Sequence, residues 1–384
     1  MEYASILGIS APASRVGLGT WAMGGSQWGG TNDDESVRTI HAALDLGITL
    51  IDTAPAYGFG HSEKVVGRAL AERGGREKVV VATKVGLERR GDGVIRNSSR
   101  QQVIQELEVS LRHLRTDYVD LYQVHWPDFS TPYEETAQAL LDLQRAGKIR
   151  AIGVSNYSIE AMERFRSVAP LASAQPPLNL FEREALEDII PWCRTNGVAT
   201  LTYGALCRGL LTGTMNKDTR FEGDDLRQTD PKFLPPRYAQ YLQAVQRLAQ
   251  FARERYDKGV LPFAVRWVRG PARRHSGAVG SPPPRRVGAA AGRDWLETRR
   301  RGPDVHGLGG ERVRARARRP RVHGAPGATS GRIGRAARGA RLTHAGGILR
   351  CCPSRSHFLR FRTRSADLMQ LLDRPACPGF ARGP

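Results

Sequence analysis

Along the first 270 residues, short apolar runs alternate with stretches whose apolar positions recur every three or four residues. The runs ITLID (48–52), VVVATK (79–84), YVDLYQVH (118–125), IRAIGVSN (149–156) and VATLTY (198–203) are rich in β-branched side chains. Several are apolar at nearly every position, which is the pattern of a strand covered on both faces. Between them, Val103, Ile104, Leu107, Leu111 and Leu114 fall on one face of a helix spanning 99–114. A second helix over 134–146 stops at Gly147, with Lys148 just beyond. A polar residue marks the carboxyl end of nearly every strand: Asp52, Lys84, His125, Asn156, Gln175 and Tyr203. Their spacing is that of one strand plus one crossover helix per unit. In barrels and open sheets alike, chemistry gathers at that end of the strands. A doubly wound sheet would need a glycine-rich turn opening a helix. The segment GLGTWAMGG (17–25) has the glycines but no helix pattern directly after them. The number of βα units before residue 210 therefore favours an α/β (β/α)₈ TIM barrel.

Charge divides the chain. The formal net charge is +20, yet residues 271–384 hold 25 Arg, no Lys and only 6 acidic residues, so residues 1–270 are close to neutral. The sequence is thus read as a barrel domain over 1–270 and an Arg/Gly/Pro-rich, irregular basic tail over 271–384. The tail has 17 Gly and 11 Pro and no Asn or Tyr, a composition close to that of disordered segments. Lys, Asn and Tyr have A/T-rich codons, whereas Arg, Gly, Pro and Ala have G/C-rich ones. This bias reads as a G/C-rich gene translated in a shifted frame from near Arg269. A genuine basic extension is the alternative. A nucleic-acid arm is disfavoured, because the Arg residues are scattered without interleaved aromatics. The barrel region has only two Cys, Cys193 and Cys207, which fits a reducing cytoplasm. The start, MEYASILGIS, lacks the basic region of a signal peptide, and no apolar run reaches a membrane span. A cytoplasmic protein is expected, with no membrane or nucleic-acid partner and no metal.

Asp52, Tyr57, Lys84 and His125 form the sharpest constellation. A phenol is a poor proton donor at neutral pH. A nearby ammonium lowers its pKa by favouring phenolate, and a carboxylate keeps that ammonium charged when buried. His125 would then polarise or orient a carbonyl. Singly, each residue has a structural reading: Asp52 as a helix cap, Tyr57 as a surface aromatic, Lys84 as a solvated strand end, His125 as a core histidine. Jointly, at successive strand ends, those readings lose their force.

The segments LIDTAPAYGFGHSE (50–63), VVVATKVG (79–86), DYVDLYQVHWPD (117–128), GKIRAIGVSNYS (147–158) and LTYGALCRGLLTG (201–213) resemble the aldo-keto reductase superfamily, and most of all its bacterial general-stress-protein branch. The resemblance covers about residues 1–268. It implies a barrel that binds NADPH and reduces aldehydes or ketones, small carbonyl substrates, as a monomer. Through its motifs it implies Asp52, Tyr57, Lys84 and His125 as the catalytic set. It further implies Ser155, Asn156 and Gln175 on the nicotinamide carboxamide and Tyr203 against the ring. Gly204, Leu206, Arg208 and Gly209 would wrap the pyrophosphate, and Gly19, Thr20 and Trp21 would touch cofactor or pocket. An N-cap role for Ser155–Asn156 and a plain loop role for Gln175 stay open, as do core positions for Trp21, Trp28 and Trp126. After RWV (266–268) the resemblance ends. GAV (277–279) is a poor remnant strand and Pro282–Pro284 cannot open a helix, so the eighth βα unit is expected to be degraded or absent. The second reading is a barrel that holds the cofactor but is catalytically impaired or non-catalytic.

Overall fold

The computed structural model describes residues 1–91 and 93–270, together with the backbone of 278–280. The tail's reading frame and irregularity, and anything beyond residue 280, lie outside the described residues. Strands β1 (Val16–Gly19), β2 (Leu50–Asp52), β3 (Val80–Val85), β4 (Val119–Val124), β5 (Ile149–Ser155) and β6 (Ser173–Gln175) follow in chain order, each parallel to the next. Strand β7 is broken into Ala199–Thr200, beside β6, and Thr202–Tyr203, beside β8 (Ala278–Gly280). β8 pairs in turn with β1, setting Ala278 opposite Val16 and Gly280 opposite Leu18. The ring of strands is thereby closed as a (β/α)₈ barrel. The place of the eighth strand is filled by the GAV remnant shifted by one residue.

Helices α1 (Asp33–Asp45), α2 (His61–Arg73), α3 (Arg100–Leu114), α4 (Tyr133–Arg145), α5 (Ile159–Arg166) and α6 (Ile189–Thr195) each follow the strand of the same number. α7 (Arg237–Tyr256) and α8 (Val260–Arg269) lie between β7 and β8. Their starts are written in the sequence. The Asn32 side chain accepts from the Glu35 backbone N–H at 3.0 Å ahead of an acidic first turn, Asp33, Asp34 and Glu35, which suits the positive end of the helix dipole.

Alternation along the strands sorts side chains into two layers. Val81, Val85, Tyr122, Val124, Ile152 and Val154 face the helices and pack on Leu107, Leu111, Leu140 and Phe165. Val80, Ala82, Leu121, Ala151, Ala172, Ala199 and Leu201 form a separate cluster with Ile6 and Ile9. Ile6 and Ile9 belong to an N-terminal hairpin, Tyr3–Ile6 paired with Ile9–Ser14, which the sequence pattern did not reveal. The hairpin also holds the entry to β2: the Thr49 N–H donates to Ser14 Oγ at 2.9 Å and the Thr49 hydroxyl to Pro12 O at 2.7 Å, while the Thr49 carbonyl accepts from the Val80 N–H at 2.8 Å.

Candidate active site

Lys84 is fully buried and lies one residue before the end of β3, on the face opposite Thr83 and Val85. Its ammonium donates to Asp52 Oδ2 at 2.7 Å, Thr53 O at 2.9 Å and Tyr57 Oη at 3.0 Å. All three N–H donors of the ammonium are therefore used. Asp52, at the end of β2, also accepts from Gln175 Nε2 at 2.8 Å, while Gln123 Nε2 stands 3.5 Å from the same Oδ1. Tyr57 lies in the loop between β2 and α2. Its ring packs edge-on against His125 at 5.7 Å and stacks on Trp21 at 6.0 Å, and Trp21 meets Trp28 at 5.3 Å. The four residues that the sequence pattern grouped are brought together.

The electrostatics depart from the expectation in one respect. Burial holds the Tyr57 phenol above its ordinary value, and the pull of Lys84 in the opposite direction does not offset it. The expected lowering is overturned because the phenol loses water before it gains the cation. Burial pulls the Lys84 ammonium down, but Asp52 and Tyr57 together hold it above its ordinary value, so it stays charged. Burial, and then Lys84, push His125 well below the usual imidazole range, which leaves a neutral ring at pH 7. Because the Tyr57 oxygen accepts from Lys84, its own proton is left to donate elsewhere. The arrangement can therefore hand a proton to an oxygen seated between Tyr57 and His125.

At the ends of β5, β6 and β7 the polar groups bind one another. Ser155 Oγ donates to Gln175 O at 2.9 Å. Asn156 Nδ2 donates to His125 O at 3.0 Å and Ser155 Oγ at 3.1 Å, and Tyr203 Oη donates to Asn156 Oδ1 at 2.9 Å. Asn156 has a left-handed backbone, φ 62°. The cap of α5 is Ser158, whose hydroxyl accepts from the Ala161 N–H, so Ser155 and Asn156 are not its N-cap pair. Acceptor capacity remains on Asn156 Oδ1 and on Gln175 Oε1, which has no hydrogen-bond partner among the described residues, and one N–H of Gln175 Nε2 remains beside the one given to Asp52. Two acceptors suit the NH₂ of a primary carboxamide, so these residues fit a nicotinamide.

Other expected contacts are placed differently. Gly19 pairs with Asp52 in the ladder, and the fully buried Thr20 hydroxyl donates to Asp52 O at 3.0 Å and accepts from Ser62 Oγ at 2.7 Å. Both residues belong to the scaffold beneath Asp52. The Leu206 side chain is buried with Leu210, Leu211 and Phe263, so only its backbone faces the loop. Arg208 has φ 52° and is paired with Asp230, which leaves its other guanidinium N–H groups for an anion. Gly204 (φ 74°) and Gly209 (φ 95°) shape the same loop. Trp126 is exposed and lies beneath Arg96, apart from the Trp21–Trp28 pair. Gln123 and the Thr53 carbonyl were missed. Gln123 was within reach of the strand alternation, since it shares a face with Leu121, whereas a backbone carbonyl has no sequence signal.

The sequence pattern of the Aldo/keto reductase family matches residues 15–287. The chain belongs to the aldo/keto reductase family. The match runs past residue 268 and takes in β8. The chain is 57% identical to the aldo-keto reductase YhdN of Bacillus subtilis (strain 168) over 268 residues, 70% of this chain and 81% of that one. It is 40% identical to the NADH-specific methylglyoxal reductase of Escherichia coli (strain K12) over 220 residues, 53% and 67% of the two chains. The solved structure of the glycerol dehydrogenase AKR11B4 from Gluconobacter oxydans superposes with a TM-score of 0.69 at 52% identity, covering 75% of this chain and 89% of that one. This chain is thus an oxidoreductase of a family acting on small carbonyl compounds with a nicotinamide cofactor. Among the described residues no helix is long and apolar enough to cross a membrane.

Proposed function

We propose that the chain reduces aldehydes or ketones to alcohols with NADPH, and that Tyr57 is the general acid. The observation that carries this reading is the Lys84 ammonium, whose three hydrogen bonds join Asp52, the Thr53 carbonyl and Tyr57 in one buried unit. Bound NADPH supplies the hydride. The protein's part is to seat the carbonyl oxygen between the Tyr57 hydroxyl and the neutral His125 ring, and to deliver the phenolic proton to that oxygen. Lys84 stabilises the phenolate that results, and Asp52 keeps Lys84 charged. Ser155, Asn156 and Gln175 would hold the carboxamide, Tyr203 would face the ring, and the loop from Gly204 to Gly209 with Arg208 would meet the pyrophosphate. Trp21 and Trp28 wall the substrate side.

NADPH is the cofactor the motifs imply, while one relative is named NADH-specific. Side-by-side kinetics with NADPH and NADH decide between them, and equal or better turnover with NADH sinks the preference. The acid assignment is tested by Tyr57→Phe. Carbonyl reduction should fall by about 10²–10⁴, while NADPH binding, followed by its fluorescence, is nearly unchanged. Activity close to the parent's removes Tyr57 from the role. An intact Asp–Tyr–Lys–His unit disfavours the alternative of a non-catalytic cofactor-binding barrel.

A further inference from the structure

Directly after β3 the chain folds back on itself as an antiparallel hairpin, Leu87–Arg90 against Gly93–Arg96. The segment leaves β3 just beyond Lys84, so it stands at the carboxyl end of the barrel, where the candidate site is. Two of its guanidinium groups lie on aromatic rings next to the catalytic pair. Arg89 covers the ring of Phe59 at 4.4 Å, two residues after Tyr57. Arg96 covers Trp126, the residue after His125, at 5.1 Å, and Phe129 at 5.8 Å. These rings are exposed, Phe129 by 79%, so burial in the core does not account for them.

Stacking uses the flat face of a guanidinium and leaves its in-plane N–H groups available. Arg89 spends one on Gly91 O at 3.4 Å and Arg96 one on Pro127 O at 3.2 Å. Among the described residues neither has a carboxylate within salt-bridge distance. Arg90 is different, since it stands 3.5 Å from Glu88. The two stacked arginines are therefore oriented cations, each with donors left over, on rings two residues after Tyr57 and one residue after His125 in the chain. A planar fork of N–H groups matches a carboxylate.

We propose that Arg89 and Arg96 form an anion-binding rim, and that the preferred substrates are aldehydes or ketones carrying a carboxylate at the end remote from the carbonyl. This rests on reading the site as a carbonyl reductase. The test uses the full-length protein with NADPH and compares kcat/KM for 4-oxobutanoate and for butanal. The parent should prefer the acid, and in the Arg89→Gln/Arg96→Gln double variant the acid-to-neutral ratio should fall by about tenfold or more, through KM for the acid. A parent without preference, or a ratio within about twofold of the parent's, overturns the proposal. The Arg-rich segment 271–384 is common to parent and variant and cancels in the comparison. A second readout needs no turnover. Tryptophan fluorescence, reporting Trp126 beneath Arg96, is titrated with butyrate and with butyramide. Saturation by butyrate that weakens about tenfold in the double variant supports the rim, and equal responses to the two ligands, or to parent and variant, overturn it. A chain that reduces neither aldehyde defeats the reductase reading, while the fluorescence titration still decides the rim.

Discussion

A fully buried ammonium is tolerated at Lys84 because each of its protons has a partner and one partner carries charge. Removing one member of such a pair leaves the other buried and uncompensated, which costs about 3–5 kcal/mol. Lys84→Met should therefore fail twice. Carbonyl reduction is lost because the phenolate has no cation beside it, and thermal stability falls because Asp52 is stranded. Adding Asp52→Asn should restore much of the melting temperature and none of the activity. Recovery of activity in the double variant, or a Lys84→Met protein as stable as the parent, contradicts the coupling. At this scale the sequence carried the four residue types and their strand-end positions. The direction of the Tyr57 shift was out of reach, because it depends on how much water the phenol loses, which only the packed site determines.

At the scale of elements, the loop bearing Tyr57 is fixed by close backbone contact. A Cβ on Gly58 (φ +64°) would stand 2.0 Å from Gly24 O, and one on Gly24 would stand 2.5 Å from the Tyr57 carbonyl carbon. The short turn Trp21–Gly24 after β1 and the loop after β2 thus touch main chain to main chain. Gly58→Ala should lower both the melting temperature and kcat, with cofactor affinity less affected, and a variant as active as the parent would show that the loop yields. Behind β3, Glu106 on α3 accepts from the Gly86 N–H at 3.0 Å and from Gln102 Nε2 at 3.1 Å. Burial, with Glu63 and Glu88 adding repulsion, raises its carboxyl to about 7. The folded state therefore binds this proton more tightly than the unfolded chain. Its stabilising contribution is complete below the ordinary value of 4.5 and is lost as pH rises through about 7. Glu106→Gln, which keeps an acceptor for Gly86, should raise the melting temperature more at about pH 8.5 than at about pH 5. The opposite order refutes the assignment. The hairpins at Tyr3–Ser14 and Leu87–Arg96 gave no periodic signal, being short and partly polar, whereas α3 and α4 were legible because a long amphipathic repeat outlasts local ambiguity.

For the whole molecule, closure of the barrel depends on three residues. Without Ala278–Gly280, β1 and the second piece of β7 would present open edges, which are exposed to misassembly. A chain ending at Gly270 should be markedly less stable and less soluble than one ending at Val287, the limit of the family match, as judged by thermal melting and recovery from the soluble fraction. Equal stability of the two truncations would mean that β8 contributes nothing to closure. The sequence by itself determined the alternation of strands and helices, the seating of polar residues at strand ends and the family, since these follow from periodicity and short motifs. It also showed where charge and composition change, near residue 270. Tertiary structure decided what no local pattern encodes. It closes the ring with a strand that reads as a remnant, and it packs Ile6 and Ile9 against Val80, Leu121 and Leu201. It also ties the Thr20 hydroxyl to Asp52 and Ser62, and sets two guanidinium groups over rings one and two residues from His125 and Tyr57 in the chain. Each of these joins residues far apart in the chain, and the energy of such a contact depends on the burial and geometry of both partners, which the chain acquires only when the barrel is packed.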